Sequence, residues 1–240
     1  MKRGNHPLPA RRLRRMHHSL FAAYGPQHWW PARTRFEVIL GAYLTQNTSW
    51  KSVERSIANL RAAKALSLDG FRALSLQRLQ TLIRPSGFFT RKAPALIAFV
   101  SMLDHEYAGS LNRLAATPTP LLRGRLLALP GVGQETADAI LLYALEHPVP
   151  IADEYLRRIV ERHALLMPAP ARNRTGYQSL VQITREAFAS DSAGRLPQLY
   201  NEFHALTVQV GKAHCGRIAN CIGCPLAFDL PATKSTAPVN

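Results

Sequence analysis

Two glycines one residue apart, set between two helical stretches, are the first residues here with chemistry to offer. Leu129-Pro130-Gly131-Val132-Gly133-Gln134-Glu135-Thr136 closes one helical pattern and opens another. Gly131 and Gly133 allow a tight turn with positive φ. The helix behind the turn presents leading N–H groups that have no intrahelical carbonyl to meet. Together these make a small anion site. Eighteen positions after Glu135, Asp153 stands ahead of Glu154-Tyr155-Leu156-Arg157-Arg158-Ile159, where it caps a helix and has its carboxylate direction fixed. Glu135 is an acid in a first helical turn, a place the helix dipole favours. Cys215, Cys221 and Cys224 are the chain's three cysteines. An odd, tightly spaced set is not a disulfide framework; it suits a reducing compartment and a metal site.

These residues need elements to hold them, and the elements are helical. Phe36, Ile39, Leu40, Tyr43 and Leu44 recur at helical spacing, as do Val53, Ile57 and Leu60, and Leu76, Leu79 and Ile83 before a stop at Arg84-Pro85-Ser86-Gly87. Further helical segments cover residues 96–103, 121–129, 137–145, 156–160, 177–188 and 196–208, with a proline-marked link at His147-Pro148-Val149-Pro150. No segment alternates convincingly as a strand, and an all-α fold is expected. The chain has 240 residues, 47% apolar, enough for one large domain or two small ones. Thirty Lys and Arg against fifteen Asp and Glu give a net charge of +15, a field that concentrates polyanions, nucleic acid above all. Arg11, Arg12, Arg14 and Arg15 read as a solvated arm that adds weak phosphate contact. No stretch approaches the roughly 20 apolar residues of a membrane span, and the first residues lack the apolar core of a secretory signal.

The glycine turn between two helices is the pattern of a helix-hairpin-helix, which grips a DNA phosphate through main-chain amides without reading sequence. An ordinary αα-hairpin is the bland alternative, and the strong basicity favours DNA. The string from Leu129 to Ala139, followed by Ile151-Ala152-Asp153, resembles the endonuclease III superfamily of base-excision repair glycosylases, the helix-hairpin-helix, Gly-Pro-Asp group. Leu44-Thr45-Gln46-Asn47-Thr48 resembles its first-helix signature, and Ser86-Gly87-Phe88-Phe89-Thr90-Arg91-Lys92-Ala93 its glycine, aromatic, Lys-Ala turn. The resemblance implies two helical domains flanking a DNA-binding cleft. One is a six-helix barrel with the hairpin at residues 36–146; the other is built from residues 1–35 and 147–240 and ends in the cysteine loop. It makes Asp153 the catalytic carboxylate, stabilising positive charge on the sugar or activating water, and Glu135 joins it in the catalytic set as an acid that favours a cationic base. It also exposes a departure. Bifunctional members carry at the position of Glu135 a lysine that attacks the sugar, and a glutamate cannot form that Schiff base. A monofunctional enzyme is expected, with double-stranded DNA bearing a damaged base as its partner.

Gly133 to Leu141, together with Trp29-Trp30-Pro31, resembles the 3-methyladenine branch of the superfamily. The implied base pocket consists of Trp29, Trp30, Pro31 and Trp50, whose indole faces attract a cationic methylated purine; core packing is the rival reading. Gln46, with Asn47 beside it, is the implied wedge that fills the hole left by the flipped nucleotide. Leu129, Gly131, Val132, Gly133, Gln134 and Thr136 complete the DNA-binding set. Relatives hold a 4Fe-4S cluster on four cysteines, whereas here Leu230 stands at the fourth place. His214 or Asp229 as a substitute ligand, an open iron site, zinc, and a metal-free remnant all stay open. Excision of oxidised pyrimidines or mismatched bases, and a catalytically silent DNA-binding module, are the competing functions. The expected setting is cytoplasmic, with the nucleoid, and the expected state a monomer.

Overall fold

The computed structural model describes residues 9–29 and 32–231. Among these there is no strand. In chain order the helices are α1 (Pro9–Tyr24), α2 (Arg35–Leu44), α3 (Trp50–Ala62), α4 (Leu68–Arg72), α5 (Leu76–Ile83), α6 (Phe89–Tyr107), α7 (Leu111–Ala115), α8 (Thr119–Ala128), α9 (Gln134–Ala139), α10 (Glu154–Arg162), α11 (Arg174–Ala187) and α12 (Leu196–Ala213). None is long and apolar enough to cross a membrane. The chain divides into two compact units, Trp30–Val149 and Met1–Trp29 with Pro150–Asn240.

Local chemistry sets the starts of these helices. Side-chain oxygens of Thr34, Ser49, Ser67, Ser75 and Ser110 accept main-chain N–H bonds that open α2, α3, α4, α5 and α7. In the contiguous unit, α2 is the axis of the core: every residue from Phe36 to Leu44 is buried, and Ile39, Leu40, Tyr43 and Leu44 are fully so. The Tyr43 and Phe99 rings meet edge to face at 6.2 Å. Removing such a side chain to Ala costs about 3–5 kcal/mol through lost transfer energy and the cavity left behind. After α9 the helix widens into a π turn at Ile140–Ala144, and the buried Leu141 and Leu142 keep it on the core.

In the second unit the arginine run departs from expectation. Arg11 to Arg15 lie within a helix, not on a solvated arm, because Leu13, Met16 and Leu20 form a fully buried stripe at helical spacing. Helix α1 packs on α11 and α12. Arg12 donates to Asp229 at 3.0 and 2.6 Å and to the His163 carbonyl at 2.7 Å. Arg14 pairs with Asp191 and donates to the Ala187 carbonyl at 3.0 Å. The two arginines are therefore structural clamps. The Asp191 pairing holds the Arg14 guanidinium above its ordinary pKa.

Candidate functional site

The glycine turn lies where the sequence places it. Helix α8 stops because Leu129 turns extended (ψ 144°), Gly131 takes φ +74°, and Gly133 caps α9. A side chain at Gly131 would be strained by that φ and would meet Ala95 Cβ at 3.3 Å. Gly133 has an ordinary φ of −91°, and a Cβ there would meet nothing within 4 Å. Both glycines are exposed, while Val132 and Thr136 are buried and anchor the turn; Leu129 and Gln134 are half-buried. Glu135 is exposed in the first turn of α9. Beneath the turn, Arg123 of α8 grips the fully buried Asp138 of α9 through two bonds, at 2.6 and 2.9 Å. This bidentate pair ties the two helices of the hairpin.

Gln46 reaches the same turn. Its side-chain amide donates to the Gly131 carbonyl at 2.9 Å and to Thr136 Oγ1 at 2.8 Å, joining both ends of the turn. Asn47 is exposed with φ +51°, a left-handed conformation its short polar side chain tolerates. Trp50 opens α3, lies half-buried on the core and donates from Nε1 to Glu54 at 2.9 Å. Behind this loop lies Lys92, 3% exposed, whose Nζ donates to the carbonyls of Leu44 and Ser86, each at 2.8 Å. It ties the end of α2, where the Gln46 turn begins, to the turn before α6. Burial pushes the Lys92 ammonium down to about 8.

The second unit carries Asp153. Its Oδ1 accepts the Leu156 N–H at 2.8 Å and so caps α10. Its Oδ2 lies 3.6 Å from Nε2 of His204 on α12, and the two side chains are 12% and 11% exposed. The spacing of α10 and α12 follows from Gly211: a Cβ there would sit 2.2 Å from the Tyr155 ring, so only glycine lets α10 seat this closely. Trp29 lies half-buried in the same unit. Its ring meets the His204 ring at 6.5 Å, tilted 63°, and Lys212 Nζ sits 5.5 Å from its centroid. Trp30 and Pro31 lie outside the described residues.

Cys215, Cys221 and Cys224 line one small pocket with His163, His214 and Leu230. Its volume is about 10 Å³, room for a single water at most. Among the described residues, no group of three His, Cys, Asp or Glu side chains could hold a metal ion. With three thiols and a hydrocarbon at the fourth place, the residues do not supply the four thiolates of a 4Fe-4S cluster. The loop is held otherwise: Arg162 donates to the Gly216 and Arg217 carbonyls at 2.8 and 3.0 Å, Ser19 to the Pro225 carbonyl at 2.8 Å, and Arg12 to Asp229.

His204, the Arg123–Asp138 pair and the anchoring role of Lys92, which the sequence shows only as part of the glycine, aromatic, Lys-Ala turn, escape sequence reasoning. Each acts through a partner distant in the chain, and no local spacing marks the pairing. A buried-lysine signal was nonetheless present, since Lys92 stands among Ala93, Leu96 and Phe99 on the apolar face of α6.

The profile of a family described as HhH-GPD superfamily base excision DNA repair protein matches residues 40–181. The putative DNA repair glycosylase MJ1434 of Methanocaldococcus jannaschii is 38% identical over 205 residues, 85% of this chain and 88% of that one. Thymine-DNA glycosylase of Aeropyrum pernix is 25% identical over 221 residues, 89% of this chain and 91% of the relative. Among solved structures, the H. pylori 3-methyladenine DNA glycosylase MagIII bound to 1,N6-ethenoadenine is 27% identical with a TM-score of 0.71, covering 85% of this chain and 97% of that one.

Proposed function

The chain belongs to the HhH-GPD superfamily and is a DNA glycosylase of base excision repair, and from that premise we propose a monofunctional enzyme that excises alkylated purines such as 3-methyladenine. In this reading the Gly131–Gly133 turn holds a phosphate of the damaged strand, and Gln46 with Asn47 meets the disrupted stack. Gln46 keeps its amide hydrogens on the hairpin and offers Oε1 to the orphaned base. Trp29 and Trp50 each present indole surface on which an extruded purine can stack.

Asp153 supplies the chemistry. A carboxylate fixed by the Leu156 N–H and shielded to 12% exposure keeps its direction and a strong field. It stabilises the positive charge that grows on the sugar as the base leaves, and it orients the water that takes the base's place. An N3- or N7-methylated purine is already cationic and leaves readily, so base selection outweighs catalytic force.

The observation that carries the monofunctional reading is Glu135, an exposed acid on the hairpin where an amine nucleophile would be needed. Lys92 is buried with Nζ on two carbonyls, a poor position for attack. Likeness to MagIII supports the choice of alkylated purines. The test is chromatography of bases released from methylated, oxidised and mismatched duplexes, with borohydride trapping in parallel. Free 3-methyladenine without a trapped adduct is expected. Release of thymine or oxidised pyrimidines alone would overturn the specificity, and a trapped adduct would overturn the monofunctional chemistry.

A further inference from the structure

We propose that His204 is a positioning residue of the glycosylase reaction, holding the second oxygen of Asp153 and the indole of Trp29 at once. The inference rests on the reading of Asp153 as the catalytic carboxylate. One oxygen of that carboxylate is fixed by the Leu156 N–H at 2.8 Å. A carboxylate held by one oxygen can still swing about that bond, and its free oxygen is the one left for substrate or water.

His204 removes this freedom. Its Nε2 stands 3.6 Å from Asp153 Oδ2, just beyond hydrogen-bond length, so that a small closure would let an Nε2 proton be donated there. Hydrogen bonds of this kind are often long in free enzymes and tighten when substrate arrives. The same ring lies against Trp29 at 6.5 Å. A shift of the imidazole therefore moves both the carboxylate and the aromatic surface.

The fold makes this possible at one place. Helix α12 presents His204 and, two turns on, Lys212 along one stripe, and both touch Trp29. Gly211 admits the Tyr155 ring directly onto the α12 backbone, which seats the start of α10 and so Asp153 beside His204. Tyr155 follows Asp153 by two residues, so the close approach and the carboxylate share one helical turn.

The experiment compares single-turnover excision of a methylated purine by wild type, His204→Ala, His204→Gln and Asp153→Asn. Alongside it run affinity for a duplex with a non-cleavable abasic analogue, and thermal melting. For His204→Ala the rate is expected to fall about tenfold or more, as for loss of an orienting group, with affinity held within about twofold. His204→Gln, which keeps an N–H donor, is expected to recover part of the rate. A fully active His204→Ala beside an inactive Asp153→Asn would overturn the role of His204 alone. Rate, affinity and melting temperature falling together in both His204 variants would overturn it in favour of simple packing. A fully active Asp153→Asn would overturn the catalytic reading beneath it. Should wild type release a different base, the same four proteins are compared on that base.

Discussion

At Gly133 a methyl group would meet no protein atom within 4 Å, whereas at Gly131 it would meet Ala95 Cβ at 3.3 Å in a left-handed backbone. The two glycines of one turn thus answer to different demands. Gly131→Ala is expected to lower stability by about 1–2 kcal/mol, the usual cost of a left-handed alanine. Gly133→Ala is expected to leave melting unchanged or slightly raised. It should weaken DNA binding about tenfold, the loss of one charge-assisted hydrogen bond of about 1.5 kcal/mol, because the methyl stands where a phosphate would approach the amides. Melting curves with a binding titration separate the two, and equal effects in both variants would contradict the division. Lys92 makes a prediction in pH. Its folded pKa, about 8, lies below the ordinary 10.5, so the unfolded chain binds more protons between those values. Its contribution to stability is therefore complete above about 10.5 and is lost as pH falls through about 8. Denaturant unfolding across that window should show stability rising with pH, and Lys92→Met should flatten the rise. The glycines and Asp153 were legible in the sequence because a turn and a cap are written within a few residues. His204 was not, because its partner lies 51 positions away, the separation of His204 from Asp153, on another helix.

The elements show the same division between local and distant causes. Most helices were legible from apolar spacing, since three or more turns give a period to read. Helices α4 and α7, of five residues each, offer no period and pass for loop. Helix α1 was hidden by charge: its arginines suggested a solvated arm, and the buried stripe of Leu13, Met16 and Leu20 beneath them carried the true signal. The loop that bears the cysteines rests on that helix through Arg12 and Ser19. If side chains hold this loop without a cluster, purified protein should contain no stoichiometric iron and no cluster absorbance. A Cys215→Ser, Cys221→Ser, Cys224→Ser variant should then melt within a few degrees of wild type. Arg12→Ala should lower stability by about 1–3 kcal/mol, since it takes the two guanidinium bonds from the 8%-exposed Asp229 and leaves it only His163 at 3.5 Å. Stoichiometric iron, or collapse of the triple variant alone, would sink the idea.

For the whole molecule the governing quantity is charge, and the net value of +15, from which the fifteen acids are already subtracted, is a surplus of cations and not a count of phosphate contacts. Arg12, Arg14, Arg61, Arg123, Arg157 and Arg158 are engaged in internal ion pairs. The salt dependence of DNA affinity should follow the phosphates actually contacted. A log–log slope of about −4 to −8 is expected, well short of that for fifteen contacts. Binding titrations from low to high salt measure it, and a slope near zero would contradict anchorage through the backbone. One unit is contiguous at Trp30–Val149, while the other joins Met1–Trp29 to Pro150–Asn240. On the ribosome, the apolar stripe of α1 therefore emerges early and waits about 150 residues for α11, which begins at Arg174. At ~5–20 residues per second that is roughly 8–30 s of a greasy amphipathic helix without its home. During synthesis this segment is the natural client for a nascent-chain chaperone, and the enclosing unit is the last to become proof against proteolysis.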